Sequence, residues 1–418
     1  MNAASRKGRR IVLSLRHKKG CIMKKIIPEV IRNKERFAAC DYTEKTLDKA
    51  IAEALKKVDQ MMVDFPGALF PRASSTNNVY PAVENNGGWQ SGFWSGILWL
   101  SYELTGDEKY KNAALAQIDS YYERIRSKIG ILGHDVGFLY SLSCVAAYKL
   151  TGCEKAREAA LMAADHLRSR YHEKGKFIQA WGQMTDKNAY RLIVDCLLNI
   201  PILYWATEET GDESFKNVAY THFRTTVEVA IRENASHFHT FYFDPETGLP
   251  LKGVTKQGRD NNSCWSRGAG WIIYGMMLTK KYMQDDPDAV NICSGATKYY
   301  LNRLPKDLIP FWDLEFKEED GEETDSSAAA IAVCGMLELL QYLPEGEDKT
   351  IFKNAIDRTM QSLYDNYSTK DTPEANGLLL HAVYSKPDKV GIDEMNIWGC
   401  YFYLEALKRM KDGWNLYW

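Results

Sequence analysis

The sequence predicts an all-α protein, a closed (α/α)6 barrel in which six inner helices are surrounded by six outer helices. One observation is a repeated unit, in which an apolar helix, a Thr-Gly turn and an amphipathic helix follow one another, and such repeats are typical of stacked helical pairs. The Thr-Gly pairs are Thr105-Gly106, Thr151-Gly152 and Thr210-Gly211. Another is the lack of a polar capping repeat after the last apolar segment, which an open solenoid would need.

The unit is clearest between residues 132 and 171. Apolar side chains from Val136 to Leu150 point in nearly every direction of a helical projection, which indicates a helix buried on all sides. The next helix, from Glu154, carries one apolar stripe and is charged elsewhere, as an outer helix would be. Glycine after each inner helix suits a left-handed C-cap, and acidic residues suit the start of each outer helix.

Six segments have the inner-helix pattern, and they begin near Phe93, Val136, Ile193, Ala269, Ser326 and Ile397. The chain ends in the aromatic residues Trp414, Tyr417 and Trp418, which favours closure of the ring. No Pro/Ser-rich linker divides the segments. We therefore expect a basic N-terminal extension over residues 1–40, poorly structured at its start, and a single catalytic barrel domain over residues 41–418.

The overall charge excludes several classes of function. The formal net charge is −2, so the sequence shows no electrostatic footprint for nucleic acid or a membrane.

The basic extension has an apolar run, residues 11–15, that is shorter than a signal-peptide core, and Met23 is a possible true start of translation. Nine scattered cysteines without a CxxC pair fit a reducing, cytoplasmic protein. A homodimer is possible.

If the inner helices run in parallel, the residues at their N-termini converge on one face of the barrel. Aromatic side chains there suit the apolar faces of sugar rings, although tryptophan is mostly buried in any protein. We predict Trp89, Trp181 and Trp271 as walls of a site, and Trp94 and Trp398 as core residues. Trp265 lies near the same face.

Two aspartates at these helix starts are candidates for acid/base chemistry. Asp135 precedes the second inner helix, and Asp195 lies in an apolar run, where burial would raise its pKa. Two carboxyl groups on one face are the usual arrangement for chemistry on a glycosidic linkage. An aspartate at a helix start is more often an N-cap, and the context of Asp325 suggests that role alone.

Further polar residues accompany the long segment between the third and fourth inner helices. His237 and His239 lack a third metal ligand with familiar spacing, so we expect no metal, and one histidine facing the site with the other facing out. Gln257 and Arg267 follow, and an arginine suits a ligand carboxylate. No phosphate-binding loop, Rossmann glycine motif or nucleophile elbow occurs.

Several separate segments, in one order over residues 40–410, resemble the unsaturated glucuronyl hydrolases, bacterial enzymes of glycoside hydrolase family 88. They are GHDVGFLY at 133–140, the segment around Asp195, HTFYFDPETG at 239–248, CWSRGAGW at 264–271 and NIWGCYFYLEAL at 396–407. The resemblance implies the same six-fold barrel. It also implies hydrolysis, without cofactor or metal, of oligosaccharides that carry a Δ4,5-unsaturated uronic acid at the non-reducing end, such as disaccharides left by lyases from glycosaminoglycans.

The resemblance further implies roles for individual residues. Asp195 would be the general acid/base that protonates C4 of the C4=C5 vinyl ether and activates the water attacking C5, and Asp135 would orient the sugar ring. The remaining predicted substrate contacts are Trp89, His134, Trp181, His239, Gln257, Arg267, Trp271 and Ser385.

The sequence departs from the family pattern near Ser385. Relatives that act on sulfated disaccharides carry Ser-x-x-Ser-x-Lys there, whereas this chain has Asp388 and Val390 in place of the second serine and the lysine. Preference for 6-sulfated substrates is therefore in doubt, unless Lys386 or Lys389 substitutes. The alternatives are an unsaturated rhamnogalacturonyl hydrolase with the same chemistry, an ordinary inverting glycosidase and a noncatalytic helical scaffold.

Overall fold

The structure is a computed structural model, and it describes residues 23–414 and 416–418. Its helices are α1 (Glu44–Asp64), α2 (Ser91–Thr105), α3 (Glu108–Leu115), α4 (Ile118–Arg126), α5 (Val136–Tyr140), α6 (Ala146–Thr151), α7 (Glu154–Ser169), α8 (Pro201–Thr210), α9 (Glu213–Ala230), α10 (Ser266–Tyr282), α11 (Ala289–Leu301), α12 (Ser326–Leu339), α13 (Glu347–Ser362) and α14 (Ile397–Asp412). The prediction of a poorly structured start of the extension falls on residues 1–22, outside the described residues.

The inner ring consists of α2, the continuous α5–α6 helix, α8, α10, α12 and α14, and the outer ring of α1, α3 with α4, α7, α9, α11 and α13. Each inner helix packs against the next, and α14 packs against α2, so the ring is closed. The C-terminal Trp418 is fully buried inside this ring and stacks on Phe402 of α14. The predicted (α/α)6 barrel is confirmed.

The local signals of the repeat have the predicted geometry. Gly106, Gly152 and Gly211 each follow an inner helix with φ of 70°, 71° and 75°, the left-handed conformation that side chains disfavour. The carboxylates of Asp107 and Asp212 accept hydrogen bonds from backbone N–H groups at the start of α3 and α9. These caps fix where each inner helix turns back into its outer partner.

The third inner helix differs from its prediction. Residues 191–193 form a strand, Val194–Leu198 form a 3-10 turn, and α8 begins only at Pro201. The strand pairs with residues 240–242 of the following segment, which holds this part of the chain extended, and proline favours the first turn of a helix. Asp195 thus lies in a tight turn rather than on a helix face.

In the described part of the chain, nine short strands connect the helices and form antiparallel sheets of two or three strands. They are β1 (Phe70–Pro71), β2 (Ala82–Val83), β3 (Tyr171–His172), β4 (Phe177–Ile178), β5 (Arg191–Ile193), β6 (Thr240–Phe243), β7 (Pro250–Val254), β8 (Ala382–Ser385) and β9 (Val390–Glu394). The β6–β7 hairpin lies in the long segment between the third and fourth inner helices. It precedes Lys256 and Gln257, which line the cavity described below.

The described part of the extension, residues 23–40, lies against the barrel. The backbone N–H of Lys24 donates to the Asp288 carboxylate, and Ile31 and Phe37 are buried. None of the helices in the described part of the chain is long and apolar enough to cross a membrane.

Candidate active site

A cavity of about 420 Å³ opens at the N-terminal ends of the inner helices, a volume typical of small-ligand sites. It is lined by Trp89, Asp135, Trp181, Asp195, Lys256, Gln257, Trp265, Arg267, Trp271, Tyr384, Ser385, Asp388 and Val390. The fold therefore brings together eight of the ten residues predicted from the sequence. His134 and His239 lie behind the lining and are almost completely buried.

The two aspartates lie close together at the floor of this cavity. Nε2 of His134 is 3.6 Å from Oδ1 of Asp135 and 3.7 Å from Oδ1 of Asp195. The nitrogen and one oxygen of each carboxylate all lie within 4.8 Å of one another. Each aspartate side chain keeps 17% of its surface exposed, whereas His134 has none, so the carboxylates face the cavity and the imidazole lies behind them.

Burial and proximity raise the pKa of both carboxyl groups. Burial raises the pKa of Asp195 to about 7. The pKa of Asp135 is also raised well above its usual range, first by burial and then by the charge of Asp195. Because two like charges so close in an apolar site are costly, the pair shares one proton near neutral pH. The cluster therefore holds an acid and a carboxylate side by side.

The two buried histidines differ in their hydrogen bonds. Nδ1 of His239 accepts from the backbone N–H groups of Lys256 and Gln257, which leaves Nε2 as the protonated nitrogen of the neutral ring. Neither ring nitrogen of His134 has a hydrogen-bond partner among the described residues. Burial lowers the pKa of both histidines, so both are neutral.

Arg267 is held rigidly at the start of α10. Its guanidinium is 2.7 Å from the Asp325 carboxylate and donates to the carbonyls of Val383 and Tyr384. Asp325 also caps α12 through the N–H of Ser327. The interpretation of Asp325 as an N-cap alone was therefore incomplete, because sequence spacing did not reveal that the starts of α10 and α12 are neighbours.

Aromatic side chains form the walls. Trp89, Trp181 and Trp271 line the cavity, although Trp271 is almost completely buried, and Trp94 and Trp398 are buried in the core. That the three lining tryptophans contact substrate stays a prediction. Two further aromatic residues line the cavity that were not predicted as wall residues. The ring of Trp265 is tilted by 33° against that of His239, with centroids 4.3 Å apart, and the hydroxyl of Tyr384 accepts from Nε1 of Trp89 at 2.9 Å. The position of Trp265 two residues before Arg267 was the available signal.

Polar residues from two hairpins form the rim. Lys256 follows β7, and its Nζ is 2.9 Å from the carboxylate of Asp388 in the β8–β9 turn. Ser385 donates to the same carboxylate at 2.7 Å, and Gln257 donates to the backbone carbonyl of Tyr384. Lys256 and Asp388 were missed because their proximity depends on the packing of two distant hairpins.

The residues that could bind a metal ion are different from the pair His237 and His239. The expectation that His237 or His239 faces outward is wrong, since both are buried, and His237 pairs with the thiol of Cys264. Among the described residues, the group whose donor atoms come close enough to share a cation is His134, Asp135 and Asp195. That the reaction needs no metal stays a prediction.

Comparison with known proteins decides the family. The model of Glycosyl Hydrolase Family 88 matches residues 68–410. The chain belongs to this family. As a family 88 protein it is a glycoside hydrolase, and the matched region contains every residue that lines the cavity.

Individual family 88 relatives are similar over nearly the whole chain. The unsaturated chondroitin disaccharide hydrolase of Streptococcus pneumoniae is 45% identical, over 95% of this chain and 100% of its own length. A crystal structure of the unsaturated glucuronyl hydrolase from Streptococcus agalactiae has a TM-score of 0.91 at 46% identity, and covers 95% and 100% of the two chains. A mutant of that enzyme complexed with dGlcA-GalNAc6S has a TM-score of 0.85 at 42% identity over the same shares.

Proposed function

We propose that this protein is an unsaturated glucuronyl hydrolase that acts on lyase-generated disaccharides of the glycosaminoglycan type. The observation that carries this proposal is the pair of cavity-facing carboxyl groups, Asp135 and Asp195, whose nearest oxygens lie within 4.8 Å of each other between aromatic walls. The names and high identity of the relatives support the same substrate class.

Asp195 is the general acid in the first step. Its carboxylic acid donates the proton to C4 of the C4=C5 vinyl ether, and the positive charge that develops at C5 is shared with the ring oxygen. A pKa of about 7 suits this role, because an acid that is still protonated near neutral pH can donate without a large energetic cost.

The same carboxylate then acts as the base. It takes a proton from the water that adds to C5, which restores the acid and leaves a hemiketal at C5. The hemiketal opens to a ketone as the C5–O5 bond breaks, and the hemiacetal formed at C1 expels the second sugar as an alcohol. The products are a ring-opened keto uronate and the remaining sugar, so the protein is unchanged after each turnover.

Asp135 and the walls position the substrate. The indole N–H of Trp181 donates to Asp135, which orients that carboxylate for the hydroxyls of the sugar ring. Trp89, which is partly exposed, presents an apolar surface to the ring, and the almost completely buried Trp265 and Trp271 support the wall from behind. Three hydrogen bonds, one of them to the Asp325 carboxylate, fix Arg267, which leaves its remaining N–H groups for the uronate carboxylate.

The carboxylate spacing argues against an ordinary inverting glycosidase. Inverting enzymes place their carboxyl groups about 6.5–9.5 Å apart to leave room for a water on the opposite face of the ring. The nearest oxygens of Asp135 and Asp195 are within 4.8 Å, which is too close for that arrangement.

We further propose a preference for unsulfated over 6-sulfated substrates. The Asp388 carboxylate at the rim would repel a sulfate, and its Lys256 partner is already paired. Lys386 is 3.3 Å from Glu322 and also pairs with Glu323, so it is not free to replace the missing lysine.

A cytoplasmic location is supported by the eight described cysteines, none of which forms a disulfide.

A substrate panel tests the function. The full chain is incubated with unsaturated chondroitin, hyaluronan and rhamnogalacturonan disaccharides and with their saturated counterparts, and the vinyl absorbance and the released sugar are measured. We expect absorbance loss with the unsaturated glycosaminoglycan disaccharides and no cleavage of saturated sugars. Preferential turnover of the rhamnogalacturonan disaccharide would instead assign the sister activity.

The variant Asp195→Asn separates catalysis from structure. The amide keeps the size and polarity of the side chain but cannot supply the proton, so kcat should fall about 10²- to 10⁴-fold with folding intact. Asp393→Asn, at an exposed aspartate that pairs with His381 outside the cavity, is the matched control. Full activity of Asp195→Asn would rule out the proposed role.

A further inference from the structure

We propose that a divalent cation of the zinc type binds between His134, Asp135 and Asp195 and inhibits the enzyme. The binding is argued from this chain's own residues, and only the inhibition rests on the proposed function. The site is a second use of the carboxylate pair, in which a cation takes the place of the shared proton.

His134 is the independent observation that points to such a ligand. Its side chain is fully buried, and neither nitrogen has a hydrogen-bond partner among the described residues. A buried polar group without a partner is rare and costly. Nε2 is directed between Oδ1 of Asp135 and Oδ1 of Asp195, and the latter oxygen also lacks a partner in the described part of the chain.

Tetrahedral zinc fits this cluster when the two carboxylates move towards each other. Zinc binds histidine nitrogen and carboxylate oxygen at about 2.0–2.2 Å, which places neighbouring ligand atoms about 3.3–3.4 Å apart. The two nitrogen–oxygen distances here, 3.6 and 3.7 Å, exceed this by about 0.3 Å, and the two carboxylate oxygens, which lie within 4.8 Å of each other, approach by up to about 1.4 Å when they bind the ion. The fourth position opens into the cavity, so the ion can enter and water can complete its coordination.

The ligand set also selects among cations. One imidazole and two carboxylates match the preference of zinc and similar transition ions for mixed nitrogen and oxygen ligands. Calcium needs six to eight oxygens, and magnesium keeps an octahedral shell of oxygens, neither of which this cluster supplies. Three arginines lie close enough to the cluster for their positive charges to weaken cation binding, namely Arg170, Arg191 and Arg267. The negative charges of the two carboxylates act against this effect.

Occupation of the site would stop catalysis for a simple reason. When the Asp195 carboxylate binds the ion, it cannot carry the proton that the first step needs, so C4 is not protonated. Asp135 would also be drawn to the ion and away from the sugar hydroxyls. Zinc should therefore compete with substrate, and a chelator should restore activity.

Calorimetry on the full chain tests binding without reference to activity. Zinc chloride titrated into the protein should give one site per chain, weakened at least tenfold in His134→Gln. His381→Gln removes the histidine of the exposed His381–Asp393 pair and is the matched control, which should bind zinc as the parent does. Should His134→Gln fail to fold, Asp135→Asn takes its place, because the amide keeps the shape of the carboxylate.

Kinetics complete the test. Zinc should inhibit turnover of an unsaturated disaccharide reversibly, with magnesium and calcium ineffective at the same concentration. The site is refuted if zinc does not bind, or if binding is unchanged in both His134→Gln and Asp135→Asn. Activity that is lost on chelation refutes the inhibitory role. If the chain binds zinc but hydrolyses no unsaturated disaccharide, the proposed function is refuted and the zinc site is still supported.

Discussion

The guanidinium of Arg267 lies 2.7 Å from the carboxylate of Asp325, and both side chains are almost completely buried. The pair joins the start of α10 to the start of α12 at the wall of the cavity. Two consecutive inner helices are thus held together beside the cavity.

Asp325→Asn should destabilise the protein and impair substrate binding. The change leaves a buried guanidinium without its counter-charge, which typically costs about 3–5 kcal/mol. Denaturant unfolding should show this loss, and KM should rise because Arg267 is no longer fixed. Asp393→Asn, in an exposed pair, should change stability by less than about 1 kcal/mol. Equal stability of the two variants would mean that the buried pair has little role.

Activity should fall at alkaline pH. The first step needs a protonated Asp195, whose pKa burial raises to about 7, so the active form is lost above that pH. We expect kcat/KM to decline towards a tenfold loss per pH unit on the alkaline side. A profile that stays level to pH 9 would exclude Asp195 as the proton donor.

Asp195→Asn should stabilise the protein at high pH. The folded-state pKa of Asp195 lies above its ordinary value of 3.8, so its contribution to stability is full below pH 3.8 and is lost as pH rises towards 7. The amide does not ionise and escapes this loss. Melting temperatures should therefore be higher for the variant than for the parent at pH 8, and the difference should shrink at pH 5.

Trp181→Phe should lower kcat more than it affects folding. Phenylalanine keeps an aromatic ring in the wall but removes the N–H that donates to Asp135. A hydrogen bond to a charged group contributes about 1.5–3 kcal/mol, which corresponds to about a 10- to 100-fold loss in rate. Trp89→Phe is the control, since its N–H donates to Tyr384 and to neither aspartate. Equal losses in both variants would indicate that only ring area matters.

Asp388→Ser should shift preference towards 6-sulfated disaccharides. The change removes a carboxylate from the rim and releases Lys256 to meet an anion. The ratio of kcat/KM for 6-sulfated over unsulfated chondroitin disaccharide should rise at least about tenfold, since relief of one close charge conflict is of the order of 1.4 kcal/mol. An unchanged ratio would place sulfate discrimination elsewhere.

Trp418→Ala should destabilise the barrel. The indole stacks on Phe402 and its N–H donates to Glu405, so truncation leaves a large cavity inside the ring. Such changes typically cost about 3–5 kcal/mol, measured by denaturant unfolding. Trp414→Ala, at a half-buried position, should cost less.

The amino-acid sequence by itself determined the barrel and most members of the site. Helical periodicity, the Thr-Gly turns and the apolar runs are local signals, and local signals fix where helices begin and end. Eight of the ten predicted residues line the cavity. Most lie at the starts of inner helices or in segments near the same face, whereas Ser385 was included only through the resemblance to family 88.

The tertiary structure decided the contacts between distant segments. The ion pairs of Arg267 with Asp325 and of Lys256 with Asp388 join residues 58 and 132 positions apart. The tertiary structure also brings Asp195, from a different turn of the chain, to the adjacent pair His134 and Asp135. The delayed start of α8 also depends on a strand pairing made later in the chain. Periodicity reports which face of an element is apolar, but only packing fixes which side chain meets which, and the pKa of Asp195 follows from that packing.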